Sequence, residues 1–110
     1  MPYIVVLMTT AHKEEAVKIV RCLLNEKLIA CVNIVGPVSS LFWWEGKIDE
    51  VSEFLVFTKS RENLFEKLAG RVKELHSYQV PEIIALPIKK GLPAYLDWLS
   101  TSLQSVRDDG

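Results

Sequence analysis

Residues 38–59 read VSSLFWWEGKIDEVSEFLVFTK, and this stretch decides the fold. Two arms rich in aromatic and β-branched side chains flank a polar segment, residues 45–50, that contains one glycine, Gly46. This pattern predicts a β-hairpin. Arms of about nine or ten residues would extend roughly 30 Å, whereas a domain of this length has a radius of gyration of about 13 Å. We therefore expect the hairpin to project from the globule and another copy of the chain to cover it.

The composition is that of an ordinary globular chain. Its 110 residues are 49% hydrophobic and 25% charged, and the formal net charge of -1 argues against general affinity for nucleic acid or anionic membranes. No apolar stretch approaches the roughly 18 residues that span a bilayer, and the start MPYIVVLMTT lacks the features of a signal peptide. Cys22 and Cys31 form no CxxC pair and are interpreted as reduced thiols. We expect one cytoplasmic domain over residues 1–110, with no nucleic-acid or membrane partner.

Apolar periodicity and helix breakers predict the other elements. In chain order they are a strand over residues 3–9, a helix over 13–27, a strand over 28–34, a bulge at Gly36-Pro37 before the hairpin, a helix over 61–76, a strand over 82–88 and a helix opened by Pro93. Thr9 or Thr10 is the expected cap of the first helix and Ser60 that of the second. Residues 106–110 are expected to fray. The order β-α-β-β-α-β with a C-terminal helix predicts an α+β fold of the ferredoxin-like type.

The predicted strands are apolar at both odd and even positions, for example over residues 4–8 and 83–88. In the ferredoxin-like arrangement both main helices cover one side of the sheet, so a one-sided sheet should alternate apolar and polar residues. We therefore expect self-association to bury the second face. Trp43 and Trp44, being adjacent in a strand, point to opposite faces. Together with Phe42 they are the predicted interface residues.

The sequence contains none of the patterns GxGxxG, GxxxxGK[ST], HExxH or GxSxG. Its two histidines, His12 and His76, belong to no recognisable catalytic triad. We therefore predict that the chain is not an enzyme.

The densest polar cluster of the second half is HSYQVPEI, residues 76–83. It can be a ligand or metal site, or a helix C-terminus at which His76 interacts with the helix dipole and Tyr78 packs its ring. Two other side chains leave similar alternatives. Lys59 can bind an anion beside a helix N-terminus or be solvated, and Trp98 can be a stacking platform or part of the core or interface.

Several of these segments resemble the CutA family of divalent-cation-tolerance proteins. They are WWEGKI at residues 43–48, Glu53 leading to Lys59-Ser60, HSYQVPEI at 76–83, YLDWL at 95–99 and LIACVNI at 28–34. The resemblance covers essentially the whole chain. It implies a ferredoxin-like fold, a compact homotrimer similar in shape to PII signalling proteins, and a role in tolerance of copper and other divalent ions.

The resemblance also implies site residues. His76 and Met8 fall on positions that would bind metal, and imidazole and sulfur ligands suit copper. The chain departs from the family pattern at Leu75, Ser77 and Ser60, so we expect weak or intersubunit binding of copper or another divalent cation, with no cofactor required. A polar pocket between subunits is implied, and its residues are Glu53, Lys59, His76, Tyr78, Glu82 and Trp98. The alternative is a PII-like signalling module that binds a small anion in intersubunit clefts and acts on an unidentified partner protein.

Overall fold

A computed structural model describes residues 2–105. The elements follow one another as β1 (Tyr3–Thr10), α1 (Lys13–Asn25), β2 (Cys31–Trp44), β3 (Lys47–Arg61), a short 3-10 helix (Glu62–Leu64), α2 (Phe65–Leu75), β4 (Ile83–Ile88) and α3 (Pro93–Ser102). The predicted fraying of residues 106–110 lies outside the described residues.

The four strands form one sheet in the order β2-β3-β1-β4, and every neighbouring pair is antiparallel. With helices after β1 and β3, this is the ferredoxin-like α+β topology, and the fold prediction is confirmed. The third helix begins at Pro93, where the fixed φ of proline suits the first turn.

The hairpin formed by β2 and β3 is longer than predicted. Its arms have 14 and 15 residues. The first arm is long because the end of the predicted second strand and the first predicted arm of the hairpin form one continuous strand, β2. At the tip, Glu45 has φ 50 and Gly46 has φ 81, the positive values that a two-residue hairpin turn requires. The molecule measures 44 × 28 × 25 Å. This elongation agrees with the predicted projection of the hairpin.

The predicted bulge is confirmed. The pairing register of β2 and β3 shifts between Val35 and Val38, at Gly36-Pro37. Glycine is needed here because the chain passes close to a ring of the opposite strand. A Cβ atom added to Gly36 would lie 2.6 Å from Cδ2 of Phe54.

The core lies on one face of the sheet, beneath α1 and α2. In β1 the side chains of Ile4, Val6 and Met8 are buried in this core, and the alternate residues Val5 and Leu7 are only half buried. The register places those alternate residues on the second surface of the sheet, which we call the open face. Its apolar residues are Val5, Leu7, Val35, Leu55, Phe57, Ile84 and Leu86.

Both predicted helix caps are wrong. The residue before α1 is His12, which makes no side-chain capping bond, and the Thr10 hydroxyl instead donates to the carbonyl of His12. Ser60 is a buried residue of β3 whose hydroxyl donates to the carbonyl of Leu28. It cannot cap α2 because β3 stays paired with β1 as far as Arg61.

Two boundaries between α1 and β2 also differ from prediction. The helix ends at Asn25 rather than at residue 27, because Lys27 takes a left-handed φ of 56 and the amide of Leu28 then bonds back to Leu23. The strand begins at Cys31 rather than at residue 28. Leu28 and Ile29 are core residues outside the ladder.

Replacing Gly36 with alanine should destabilise the hairpin, because the new methyl group and the Phe54 ring cannot keep their present positions. Overpacking of this kind typically costs about 1–3 kcal/mol. Urea unfolding at matched protein concentration measures the change. Gly70→Ala is the control: an added Cβ there meets no atom within 4 Å, and the substitution lies inside α2. It should stabilise the chain by about 0.5–1 kcal/mol. Equal stability of both variants would contradict the close approach at Gly36.

Candidate functional site

The candidate site is built around His76, the residue that ends α2. Its side chain has 0% exposure and packs against the end of β1, where Nε2 lies 2.7 Å from the carbonyl oxygen of Thr9. A carbonyl oxygen only accepts, so Nε2 carries the proton. The other nitrogen, Nδ1, accepts the backbone N–H of Tyr78 at 3.0 Å. His76 is therefore a neutral imidazole whose only ring lone pair is on Nδ1.

Glu15 of α1 reaches the same turn from the opposite side. Its Oε2 accepts the backbone N–H of Ser77 at 2.7 Å and lies 3.8 Å from Nδ1 of His76. Partial burial of the carboxylate acts to raise the pKa of Glu15. The hydrogen bonds from Ser77 are the main effect in the other direction, and the net result is a lowered pKa of Glu15. Glu15 is thus held ionised beside the imidazole.

A second pair of side chains extends this cluster. The phenol of Tyr78 donates to Oε2 of Glu53 at 2.9 Å, and the Tyr78 and His76 rings have centroids 4.7 Å apart. Burial, followed by the hydrogen bond to Glu53 and its negative charge, raises the pKa of Tyr78 to about 12. Two of the predicted pocket residues, Tyr78 and Glu53, are therefore in direct contact within one chain.

Met8, the other predicted metal ligand, is one residue before the carbonyl that holds His76. Its side chain is only 1% exposed and belongs to the hydrophobic core. An ion can reach this sulfur only if the core opens at that end of β1. Within residues 2–105 no three His, Cys, Asp or Glu side chains are already grouped around a common metal position.

The remaining predicted residues are placed elsewhere. Lys59 is six residues from Glu53 along β3, or about 20 Å at 3.3–3.4 Å per residue. Its ammonium group donates to Oδ1 of Asn33. Trp98 is an exposed residue of α3, and Glu82 is exposed just before β4.

Lys59 belongs to a second polar cluster at the far end of the open face. Cys31 is its direct partner across the β2–β3 ladder, and the Cys31 Sγ lies 3.3 Å from the Tyr95 hydroxyl. The hydrogen bond with Cys31, followed by burial, raises the pKa of Tyr95. The ring of Trp98 is 5.5 Å from that of Tyr95. Most of the predicted pocket residues therefore fall in two separate clusters of one chain, one around Tyr78 and one around Lys59, which would be two half-sites of the predicted pocket.

Sequence reasoning missed Glu15, Asn33 and Tyr95 as members of these clusters. Glu15 is 62 residues from Ser77, to which it bonds, and no local pattern links them. Its only signal in the sequence was a position in the first turn of a helix, which is common for glutamate.

These features first define a class, the ferredoxin-like α+β proteins with a projecting β2–β3 hairpin. A family model described as "CutA1 divalent ion tolerance protein" matches residues 4–102. The chain belongs to the CutA family. The resemblance inferred from the sequence motifs is confirmed.

Curated relatives agree with this assignment. "Protein CutA 1, chloroplastic" of Oryza sativa is 47% identical over 102 residues, covering 93% of this chain and 58% of the relative. The "Divalent-cation tolerance protein CutA" of Archaeoglobus fulgidus is 43% identical over 99 residues, covering 90% and 96%. The chain spans 58% of the length of the rice relative and of the Arabidopsis thaliana relative.

Solved structures show the same fold. The crystal structure of CutA1 from Oryza sativa has a TM-score of 0.93 at 45% identity, covering 96% of this chain and 97% of that one. The Thermus thermophilus CutA1 structure has a TM-score of 0.91 at 45% identity, covering 93% and 99%.

Replacing Glu53 with glutamine should lower the pKa of Tyr78 from about 12 towards its ordinary value of 10.0, because the negative charge that accepts its hydrogen bond is removed, while burial and the charge of Glu15 still act to raise the pKa. A phenol whose pKa is raised by folding contributes stability that is complete below about pH 10 and is lost as the pH rises through about 12. The variant should lose that contribution at lower pH.

Ultraviolet absorbance of tyrosinate against pH measures this shift, and Tyr78→Phe identifies the signal. Glu50→Gln is the control, because Glu50 is an exposed carboxylate of the same strand. An unchanged Tyr78 titration in Glu53→Gln would contradict the proposed contact.

Proposed function

We propose that this chain acts in tolerance of divalent metal ions by binding such ions weakly, with copper(II) as the leading candidate and His76 as the first ligand. The observation that carries the proposal is the hydrogen bonding of His76. Metal-binding histidines usually donate their second ring N–H to a carbonyl or carboxylate, and Nε2 donates to the carbonyl of Thr9 in this way. The family name supplies the class of ion, and imidazole suits copper in particular.

Met8 has a lesser part in this proposal. Its thioether is a suitable copper ligand, but it lies in the core. We assign it to metal binding only in a state in which the end of β1 separates from the core.

No catalytic role is proposed, and the cytoplasm is kept as the predicted location. The plant relatives are named chloroplastic, and the Archaeoglobus fulgidus protein is described as periplasmic. No helix within residues 2–105 has both the length and the apolar character needed to cross a membrane.

We also propose that the working form is a homotrimer in which the copies cover one another's open faces and hairpins. The support is the exposure of large apolar side chains near the hairpin tip, where Trp43 is 73% and Trp44 58% exposed. Phe42 lies beside them and is also exposed. Contiguous apolar surface of this kind usually marks an interface. In such an assembly the two half-sites of one chain would either lie in different subunit interfaces or be brought together by neighbouring copies.

A second function is favoured by Lys59. Its Nζ donates to Asn33, and within residues 2–105 it has no carboxylate at ion-pair distance. The ammonium group has further N–H donors that Asn33 does not use, and its cross-strand neighbour Cys31 contacts Tyr95. Such a group suits a small anionic ligand. In this alternative the chain is a PII-like module that binds the anion, with Glu82, Tyr78 and Glu53 in the facing half-site, and acts on a partner protein.

Calorimetric titration with Cu²⁺ should show saturable uptake, and His76→Ala should weaken binding at least about tenfold, since even second-shell losses cost 10–100-fold. His12→Ala is the control, because His12 is the other histidine and is exposed. Absence of saturable uptake by the unaltered chain would exclude the metal proposal. If, in addition, a small anion raised the melting temperature and Lys59→Ala abolished the gain, the signalling alternative would replace it.

Replacing Trp44 with aspartate should break the assembly or leave insoluble monomer, because a charge would enter an apolar interface. Native mass spectrometry reports the number of subunits. Lys47→Asp is the matched control, since Lys47 is the cross-strand partner of Trp44 and is already polar and exposed. If the Trp44→Asp variant still formed a soluble trimer, the proposal that Trp44 lies in the interface would be wrong.

A further inference from the structure

The lone pair of His76 has a carboxylate beside it that belongs to another helix. Oε2 of Glu15 lies 3.8 Å from Nδ1 of His76, and 61 residues separate the two in sequence. We propose that Glu15 is the second protein ligand of the divalent ion, which is bound between this carboxylate and Nδ1 of His76. The inference rests on the proposed function, and it assigns both the ligand and the nitrogen atom that binds.

The distance between the two atoms suits a shared ion. Zinc, an ion of similar size to Cu²⁺, is bound by histidine nitrogen at about 2.0–2.1 Å and by carboxylate oxygen at about 2.0–2.2 Å. One ion can therefore touch two ligand atoms that are up to about 4.2 Å apart. The observed 3.8 Å lies within this span with a bent nitrogen–metal–oxygen angle.

The surrounding hydrogen bonds orient both ligands. The Thr9 carbonyl holds the His76 ring through Nε2 and leaves Nδ1 as the nitrogen that can bind. The Ser77 N–H holds the carboxylate of Glu15, which is 17% exposed and so remains open to solvent on one side.

Binding at Nδ1 has one structural consequence. In the free chain this nitrogen accepts the N–H of Tyr78, and the His76 side chain has 0% exposure. The ion must displace that N–H, so residues 76–78 have to move when metal enters. This coupling predicts that metal binding changes the environment of the Tyr78 amide before that of residues at the far end of the sheet, such as Lys59.

The test is a Cu²⁺ titration of the full chain by calorimetry, with thermal melting to show that each variant folds. Glu15→Gln should weaken binding at least about tenfold, the smallest loss expected for a group that touches or orients the metal site. The variant should still fold, because the glutamine amide oxygen can accept the Ser77 N–H. Glu14→Gln is the matched control: Glu14 is the neighbouring, exposed glutamate of the same helical turn, and its replacement should leave binding unchanged.

Electron paramagnetic resonance separates a ligand from a residue that only holds the turn in place. In Glu15→His a nitrogen replaces the carboxylate oxygen, so the copper spectrum should gain coupling to an additional nitrogen. If Glu15 acted only on the position of His76, that variant would show the spectrum of the unaltered chain. Such a spectrum would overturn the inference.

The outcomes also separate this inference from the proposed function. Copper binding that is lost in His76→Ala and kept in Glu15→Gln would overturn the role of Glu15 and leave the metal function in place. Failure of the unaltered chain to bind Cu²⁺ would overturn both.

Discussion

The structure depends on an imbalance between one sheet and the helices available to cover it. Strands β1, β3 and β4 carry apolar side chains on both faces, and α1 and α2 bury only the face that contains Val6, Met8 and Val56. Apolar surface left in water is costly in proportion to its area, at roughly 25 cal/mol per Å². Burial of the open face and the hairpin tip against another chain would therefore release more free energy than burial of other parts of the surface. The proposed trimer would satisfy this constraint.

The candidate site has a different physical origin. His76 joins three elements. It ends α2, bonds to the carbonyl of Thr9 near the end of β1, and lies beside Glu15 of α1. Its buried polar atoms need partners, and Thr9 and Tyr78 supply them through backbone groups. A histidine satisfied in this way can be purely structural. What distinguishes this one is an ionised carboxylate close to its lone pair, which a structural histidine does not need.

Local patterns in the sequence predicted most of the fold and little of the site. Gly46 at a turn between β-branched arms and Pro93 at a helix start were read correctly because each residue type restricts its own backbone. Ser60 and Thr10 were misread as caps. Their capping tendency is worth only about 1 kcal/mol, and pairing of β3 with β1 through Arg61 overrode it at Ser60. The pocket residues were predicted as one set shared between subunits. Within one chain, about 20 Å of strand separates Glu53 from Lys59, a distance that no motif in the sequence reveals.

The amino-acid sequence by itself determined the element order, the projecting hairpin and the family, because these depend on periodicity, turn residues and motifs that are contiguous in the chain. Only the tertiary structure decided that Glu15 meets Ser77 and His76, that Tyr78 meets Glu53, and that Met8 is enclosed in the core. The physical reason is that such contacts depend on how α1, α2 and the sheet pack together. Side-chain position after packing is a property of the whole fold, which no local stretch of residues encodes.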